Sequence, residues 1–234
     1  MSDARDDILA EIRAAASKDK GEALGPYQRG HFGARNRLIN HPANLIPARG
    51  KLGKKGRVDL FIREAERANA TVARVSCLAG VPGEVVRFLT KNNLPMFLKI
   101  APEISEEIIS WKDQVMLRVE EGSANGTEHS SVNRAFAGVA ETGTLVVLSG
   151  QRSPTTLNFL PSSHICLVHA SKIAGNYEEV WDRIRELKNK DDNFGFLPRT
   201  VNWITGPSRT ADIEQTLLLG AHGPQRLHIV IVDD

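Results

Sequence analysis

The chain of 234 residues contains only two cysteines, Cys77 and Cys166, which are too few for a disulfide framework. Neither has a second cysteine at metal-ligand spacing, and an iron–sulfur cluster usually needs four thiolates. The longest apolar runs, such as residues 145–148 and 229–232, are far shorter than the ~20 residues that cross a bilayer. The first residues are acidic and carry no apolar signal core. We therefore expect a cytoplasmic protein with no membrane span, no metal site and no cofactor bound by this chain alone.

The common phosphate-binding and catalytic motifs are also missing from the sequence. It has no Gly-x-Gly-x-x-Gly dinucleotide loop and no Gly-x4-Gly-Lys-Ser/Thr phosphate loop. It has neither the His-Glu-x-x-His helix of zinc proteases nor the Gly-x-Ser-x-Gly elbow of serine hydrolases. The seven histidines are scattered, with no i, i+4 pair in a helical pattern. Each is therefore predicted to be a surface or core residue rather than a metal ligand.

Positive charge is concentrated towards the amino terminus, although the net charge of the chain is only +2. Residues 25–57 contain eight Lys or Arg residues and no Asp or Glu. Such a stretch either binds an anionic partner (a phosphorylated ligand, nucleic acid or an acidic protein face) or forms a solvated loop. It also contains apolar residues that a solvated tail would not need: Phe32, Leu38, Ile39, Leu45, Ile46 and Leu52. We expect a partly ordered arm that packs these residues on a surface and offers its charges to an acidic face.

The apolar pattern predicts an α/β fold. A helix over 3–16 and an irregular stretch over 17–56 precede a helix that begins near Val58. Beyond it, short apolar runs typical of buried strands lie at 71–76, 96–100, 115–119, 145–148, 165–169, 201–204 and 227–232. Helical patterns lie between them at 83–92, 132–140, 177–184 and 213–220. This alternation predicts βαβ units around a mostly parallel sheet that is covered on both faces. We divide the chain into a helical and basic arm, residues 1–57, and an α/β domain, residues 58–234.

The first candidate site is a turn that precedes the apolar run 145–148. Gly143 permits a tight turn and close approach of a ligand, and Glu141 is the one carboxylate beside that run. Glu141 is our candidate base or nucleophile, and the ligand-binding candidates beside it are Thr142, Gly143 and Thr144. The alternative is that Glu141 ends the preceding helix and Gly143 belongs to an ordinary turn.

The second candidate site follows the apolar run 201–204. The pattern predicts a helix that starts near residues 208–210, at the carboxyl edge of the sheet where ligands bind in open α/β folds. Free N–H groups, hydroxyls and one guanidinium at a helix start suit a carboxylate or phosphate. The candidate ligand-binding residues are Thr205, Gly206, Pro207, Ser208, Arg209 and Thr210. The alternative is an ordinary capped helix start. We expect the two candidate turns to face one another and line one pocket.

Four motifs in the carboxyl-terminal half resemble one known family. They are Ala140-Glu-Thr-Gly-Thr-Leu-Val-Val-Leu, Leu160-Pro with His164-Ile, Ile204-Thr-Gly-Pro-Ser-Arg-Thr-Ala-Asp-Ile-Glu, and Gly220-Ala-His-Gly-Pro. Their order and spacing, over roughly residues 130–234, resemble the lactate-utilization protein C (LutC/YkgG) family and its LUD domain. The resemblance implies a Rossmann-like three-layer αβα fold, similar to ribose-5-phosphate isomerase, glucosamine-6-phosphate deaminase and coenzyme A transferases.

The same resemblance implies a function. The chain would be a subunit of a bacterial L-lactate oxidation system that converts lactate to pyruvate together with iron–sulfur partner proteins. Iron–sulfur clusters on the partners agree with the scarcity of cysteine here. The family supplies no established catalytic residue. Whether this chain is itself catalytic, as a component of an L-lactate-oxidising dehydrogenase complex, stays open at this point.

Two other functions are compatible with the residues. A stand-alone transferase or ligase-like enzyme would bind a coenzyme A thioester, a folate or a sugar phosphate. Glu141 followed by Gly143 would then resemble the nucleophilic glutamate of coenzyme A transferases, although the further glycines of those motifs are missing. A nucleic-acid-binding regulator would use residues 25–57. That stretch has only Tyr27 and Phe32 as aromatic residues, too few for a stacking platform, so we do not expect nucleic acid to be the partner.

Overall fold

The computed structural model describes residues 40–42, 45–105, 109–188, 197–210 and 218–233. The predicted helix 3–16, most of the predicted arm and residues 213–217 of the predicted helix 213–220 lie outside the described residues. Residues Leu45–Asp234 form one structural unit, and its described residues hold five α-helices. These are α1 Lys54–Arg67, α2 Val81–Lys91, α3 Pro102–Ser105, α4 Thr156–Phe159 and α5 Tyr177–Lys188.

Strands make up two larger sheets and one short pair. In chain order they are β1 Thr71–Val75, β2 Phe97–Ile100, β3 Arg118–Glu121, β4 Ser130–Arg134, β5 Ala137–Val139, β6 Thr144–Leu148, β7 Ser163–His169, β8 Ile173–Ala174, β9 Val201–Ile204, β10 Arg209–Thr210, β11 Leu218–Leu219 and β12 Arg226–Val232. The main sheet has six strands in the order β1-β12-β7-β4-β2-β3. All of its pairings are parallel. The predicted mostly parallel sheet with flanking helices is therefore confirmed.

A second sheet of four strands, in the order β8-β5-β6-β9, adds to the predicted fold. The strands β5 and β6 form an antiparallel hairpin, and β9 pairs antiparallel with the other edge of β6. The apolar run 145–148 is thus a buried strand, as predicted, but it belongs to this second sheet. The pair β10–β11 is also antiparallel.

Side chains that alternate along the central strands divide the core between the two faces of the main sheet. Ile165 and Leu167 of β7 belong to the cluster that contains the apolar face of α2. Cys166 and Val168, which point the opposite way, pack with α1 and with β6 of the second sheet. The outer face of the second sheet packs against α5 through Val180 and other side chains. The second sheet therefore lies between the main sheet and α5.

Two predicted elements are wrong. The helical pattern at 132–140 covers β4 and β5, and both strands are buried on both faces. Without a polar face, the spacing of apolar residues cannot distinguish a strand from a helix. The predicted start of a helix at residues 208–210 is wrong because Arg209 and Thr210 lie in β10 and pair with Leu219 and Leu218. The described end of the predicted helix 213–220 is wrong for the same reason, because Leu218 and Leu219 form β11. In addition, the strand expected at 115–119 begins only at Arg118, and Val115 is 93% exposed.

The helix α1 begins at Lys54, so the proposed boundary between residues 57 and 58 falls inside it. Arg57 of α1 forms a salt bridge with Glu179 of α5, with 2.9 Å between Nη1 and Oε1. The predicted cap of α5 is confirmed, because the Glu179 N–H donates to Asn176 Oδ1 at 3.0 Å.

Within the described part of the chain, no helix combines the length and apolarity that a bilayer span requires.

Candidate functional site

The first predicted turn, residues 141–144, connects β5 to β6. Gly143 has a φ of +64°, in the left-handed region that glycine adopts most easily. A Cβ atom at this position would lie 2.2 Å from the backbone nitrogen of Ala65 in α1. The glycine therefore lets the hairpin pack directly on α1. Its close approach is to the protein's own backbone.

Hydroxyl groups join this turn to the second predicted site. Thr144 Oγ1 lies 2.7 Å from Thr142 Oγ1 and 2.7 Å from Thr205 Oγ1. The Tyr177 hydroxyl, from the start of α5, lies 3.0 Å from Thr142 Oγ1 and 3.1 Å from Thr144 Oγ1. The structure thus brings the two predicted segments into contact through four hydroxyls that bind one another.

Glu141 is buried, with 5% of its surface exposed. The Tyr177 N–H donates to Glu141 Oε1 at 3.3 Å, and the Glu141 N–H donates to the Gly175 carbonyl at 3.2 Å. Its other carboxylate oxygen, Oε2, is buried without a hydrogen-bond partner. A carboxylate at this place complements the positive end of the α5 dipole. Its contacts are those of a helix cap, and its catalytic role stays a prediction.

The second predicted site is a turn between β9 and β10. Gly206 has a φ of +75°, and a Cβ there would lie 2.0 Å from the Ala68 carbonyl oxygen beyond the end of α1. The Ser208 N–H donates to the Pro224 carbonyl at 2.8 Å, and the Ser208 carbonyl accepts from the Gly220 N–H at 2.9 Å. Arg209 is exposed and lies in a strand. The anion site predicted for Arg209 depended on a helix that starts at residues 208–210, and Arg209 and Thr210 form β10 instead.

The turn 205–208 lines a cavity of about 240 Å³, which we call the amino-edge cavity. His164 and Leu227, the second residues of β7 and β12, also line it. It therefore lies at the amino ends of the parallel strands. Residues 141–144 line neither this cavity nor the larger one at the opposite edge of the sheet.

That larger cavity of about 980 Å³, the carboxyl-edge cavity, lies at the other end of the parallel strands. Arg134 and His169 are the last residues of β4 and β7, and Glu103 follows β2 in α3. After β2 the chain moves outwards to β3, whereas after β4 it moves the other way to β7. This reversal between neighbouring strands opens a crevice where ligands bind in open α/β sheets. The carboxyl-edge cavity is therefore the better candidate for the functional site.

Cations dominate the lining of the carboxyl-edge cavity. Among the described residues that line it, four are Lys or Arg: Arg134, Arg152, Lys172 and Arg199. Glu103 is the one carboxylate among these described lining residues, and apolar side chains such as Phe136 and Leu148 also line the cavity. A site of this composition favours an anionic ligand with an apolar part.

Glu103 itself is unusual for a carboxylate among cations. Burial raises its pKa above the ordinary value, although the charges of Arg134 and Arg152 and a hydrogen bond from Ser153 act in the opposite direction. Arg134 Nη2 is 3.9 Å from Glu103 Oε2, too far for a hydrogen bond. The other oxygen, Oε1, is buried without a partner. A carboxyl with a raised pKa can hold a proton and exchange it with a ligand.

The sequence did not predict this site because its residues come from separate segments of the chain. One signal was available: His169 ends an apolar run that was predicted as a strand, and strand carboxyl ends meet at one edge of a parallel sheet. Arg134 gave no such signal, because its strand was interpreted as a helix. The described residues contain no cluster of three or more His, Cys, Asp or Glu side chains that could hold a metal ion.

Comparison with known sequences agrees with the four motifs. Residues 130–232 match the family model of the LUD domain, and all four motifs lie in that range. An uncharacterized protein of Neisseria meningitidis serogroup B is 33% identical over 126 residues, 54% of this chain and 48% of that protein. Lactate utilization protein C of Geobacillus kaustophilus is 34% identical over 112 residues, 47% of this chain and 45% of the relative. The chain spans about half the length of these curated relatives.

Comparison with solved structures supports the fold. The crystal structure of a DUF162 family protein from Deinococcus radiodurans matches with a TM-score of 0.55 and 20% sequence identity. The match covers 77% of this chain and 99% of that one. At this identity, the likeness concerns the α/β architecture alone. The predicted resemblance to the LUD domain is confirmed by the family match.

Proposed function

We propose, from the LUD domain formed by residues 130–232, that this chain acts in lactate utilization as a subunit of an L-lactate-oxidising system. Its relatives named Lactate utilization protein C support this role. The observation in the structure that supports it best is the cationic carboxyl-edge cavity at the switch point of the main sheet. Lactate and pyruvate are both carboxylates, and a basic crevice attracts such ions.

Iron–sulfur partner proteins complete the proposal. Oxidation of lactate to pyruvate releases two electrons and two protons, so an electron acceptor is required. Of the two cysteines in this chain, Cys77 is exposed and Cys166 is buried. Burial raises the pKa of the Cys166 thiol, which disfavours the thiolate that a cluster needs. We therefore assign the clusters to partner proteins, which take up the electrons one at a time.

Growth on L-lactate as the sole carbon source tests the role of the whole chain. Deletion of the gene from its source organism should abolish this growth and leave growth on pyruvate unchanged, because only lactate oxidation is lost. The wild-type gene should restore growth. Normal growth of the deletion strain on L-lactate would contradict the proposal.

The proposed anion site has a separate test. The double substitution Arg152→Ala/Lys172→Ala removes two exposed cations from the cavity. It should weaken pyruvate binding to the purified protein at least about tenfold, because hydrogen bonds to charged groups contribute roughly 1.5–3 kcal/mol each. The control Lys91→Ala/Arg185→Ala removes two cations that do not line the cavity. Pyruvate affinity is measured by calorimetry. Equal affinity of the two variants would show that pyruvate binds at another site.

A larger anionic ligand is the second candidate, favoured by the cavity volume. The cavity has a volume of about 980 Å³, near the upper end of the ~300–1,000 Å³ range of sites for drug-sized ligands. This volume is far larger than a three-carbon acid needs. A stand-alone transferase or ligase-like enzyme for a coenzyme A thioester, a folate or a sugar phosphate would use this space. Calorimetry with coenzyme A, 5-formyltetrahydrofolate and ribose 5-phosphate tests it. Binding of one of these, together with normal growth of the deletion strain on lactate, would favour this function.

A further inference from the structure

Glu103 is the one carboxylate among the described residues that line the carboxyl-edge cavity. Its side chain is 16% exposed, and the side chain of Arg134 beside it is 36% exposed. Glu103 Oε2 lies 3.9 Å from Arg134 Nη2. This distance is too long for a hydrogen bond, but the two charges still interact strongly at it. An anion that binds to the accessible part of Arg134 therefore comes close to a second negative charge.

The groups around Glu103 influence its charge in opposite directions. Burial raises the pKa of its carboxyl, whereas the guanidiniums of Arg134 and Arg152 and a hydrogen bond from Ser153 favour the carboxylate. The Cys166 thiol also lies within electrostatic range, and it is neutral at pH 7 because burial raises its own pKa. An anion bound to the same guanidiniums would offset the support that they give to the Glu103 carboxylate.

Two negative groups that share one partly buried site do not both keep their charge easily, and the pKa of one of them rises. Pyruvic acid is a much stronger acid than a glutamate side chain, so a bound pyruvate stays ionised. Glu103, whose charge burial already disfavours, is then the group that accepts a proton. A protonated carboxyl no longer repels the ligand, and it carries an O–H donor that the carboxylate lacks.

We propose that Glu103 takes up one proton when the carboxyl-edge cavity binds a carboxylate, so that anion and proton bind together. This inference rests on the anion site proposed above and gives Glu103 a role in it. The proton comes from the solvent, and no other bond is made or broken. Since a proton is bound with each anion, the affinity for the anion falls as pH rises, by at most about tenfold per pH unit.

Calorimetry in buffers with different heats of ionisation counts the protons. The full chain is titrated with pyruvate at pH 7 in Bis-Tris, imidazole and Tris buffers, none of which contains a carboxylate or phosphate. The observed heat of binding is plotted against the heat of ionisation of the buffer, and the slope is the number of protons taken up. We expect net uptake by the wild type and none by Glu103→Gln, which keeps the shape of the side chain without its charge.

His169 requires a separate variant. An imidazole also takes up protons near pH 7, and His169 lines the same cavity. His169→Gln should keep the proton uptake that Glu103→Gln loses. Glu66→Gln removes the same charge from an exposed position on α1 and should take up as many protons as the wild type.

Each outcome of this experiment has a distinct meaning. Pyruvate binding by the wild type without proton uptake would overturn the inference and leave the anion site in place. Uptake that persists in Glu103→Gln, or that disappears in His169→Gln, would assign the proton to another group and would also overturn it. No pyruvate binding by the wild type would contradict the anion site and, with it, this inference.

If Glu103→Gln does not fold, the wild type and His169→Gln still decide. The described residues that line the cavity contain no other carboxyl or imidazole group. Proton uptake that survives in His169→Gln would therefore belong to Glu103. Loss of the uptake in His169→Gln would overturn the proposal.

Discussion

Glu103 and Glu141 each have one buried carboxylate oxygen that lacks a partner, but their surroundings differ. Glu141 receives the Tyr177 N–H at the start of α5, where the helix dipole favours a negative charge. Glu103 lies in the carboxyl-edge cavity, and burial raises its pKa. The sequence indicated Glu141 as the candidate base or nucleophile because it lies in the turn that contains Gly143. Burial and neighbouring charge, which distinguish the two residues chemically, are properties of the fold.

The raised pKa of Glu103 predicts how stability depends on pH. Between the ordinary value of 4.5 and the higher pKa of the folded state, the folded protein binds more protons than the unfolded chain. Stability therefore falls as pH rises through this window. Glu103→Gln removes the charge and keeps the shape. It should raise the melting temperature at pH 8 and change it little at pH 4.

Thermal unfolding of both proteins from pH 4 to pH 8 measures this effect. Glu66→Gln is the control, because Glu66 is exposed on α1 and meets water in both states. A melting-temperature difference between Glu103→Gln and wild type that does not grow with pH would contradict the assignment of Glu103 as a carboxyl with a raised pKa.

At the scale of elements, α1 is the surface on which both predicted turns pack. Gly143 approaches Ala65 and Gly206 approaches Ala68, both by way of backbone atoms of the α1 end. The sequence correctly indicated that these glycines serve tight turns. It could not show that the backbone nearby belongs to the protein rather than to a ligand, because α1 is more than 70 residues away in the chain from Gly143.

Substitution of Gly143 by alanine tests this packing. The new Cβ would lie 2.2 Å from the Ala65 nitrogen, and the backbone at a φ of +64° would also be strained. Strain of this kind costs about 1–3 kcal/mol, and overpacking adds about 1–3 kcal/mol. Gly143→Ala should therefore lower the free energy of unfolding by about 3 kcal/mol or more.

Gly126→Ala separates the two contributions. Gly126 also has a positive φ, +96°, but a Cβ added there would meet no atom within 4 Å. It should cost only the conformational part, about 1–3 kcal/mol. Urea unfolding of both variants gives the comparison. Equal losses would mean that α1 yields to the added methyl group and that the contact with Ala65 is not tight.

Elements were predicted correctly where the apolar pattern fits a strand and does not also fit a helix. The runs at 165–169 and 227–232 became β7 and β12, which are long and apolar. The segment 132–140 failed because Val132, Ala135 and Val139 also fit helical spacing, while tertiary contacts bury every side of both strands. The second sheet was not predicted, because the antiparallel pairing of β6 with β9 joins residues more than 50 positions apart.

On the scale of the whole molecule, topology assembles the carboxyl-edge cavity. Glu103, Arg134, Arg152 and His169 follow or end different elements, and they meet only because the strand order reverses direction between β2 and β4. No local motif encodes such a meeting. The four motifs indicated the resemblance to the LUD domain, yet most of their described residues form contacts of the hairpin, of α1 and of the amino-edge cavity, and only Leu148 among them lines the carboxyl-edge cavity.

The positive charge at the start of α1 carries the last prediction. Lys51, Lys54 and Lys55 are exposed, and the first turn of α1 contains no acidic residue. Such charges chiefly affect the rate of association with an acidic partner. Changing all three lysines to glutamate should slow association with the proposed iron–sulfur partner at low salt. The fold should not suffer, because acidic residues near a helix start are stabilising.

The control is a triple substitution of Arg63, Lys91 and Lys112 to glutamate, which changes the net charge equally on other exposed positions. Association rates with the partner are measured from low to physiological ionic strength for both variants and wild type. The α1 variant should be slower than the control at low salt, and the difference should shrink as salt screens the charges. If both variants slow association equally, net charge alone is responsible. Lys51, Lys54 and Lys55 would then have no specific role in recognition.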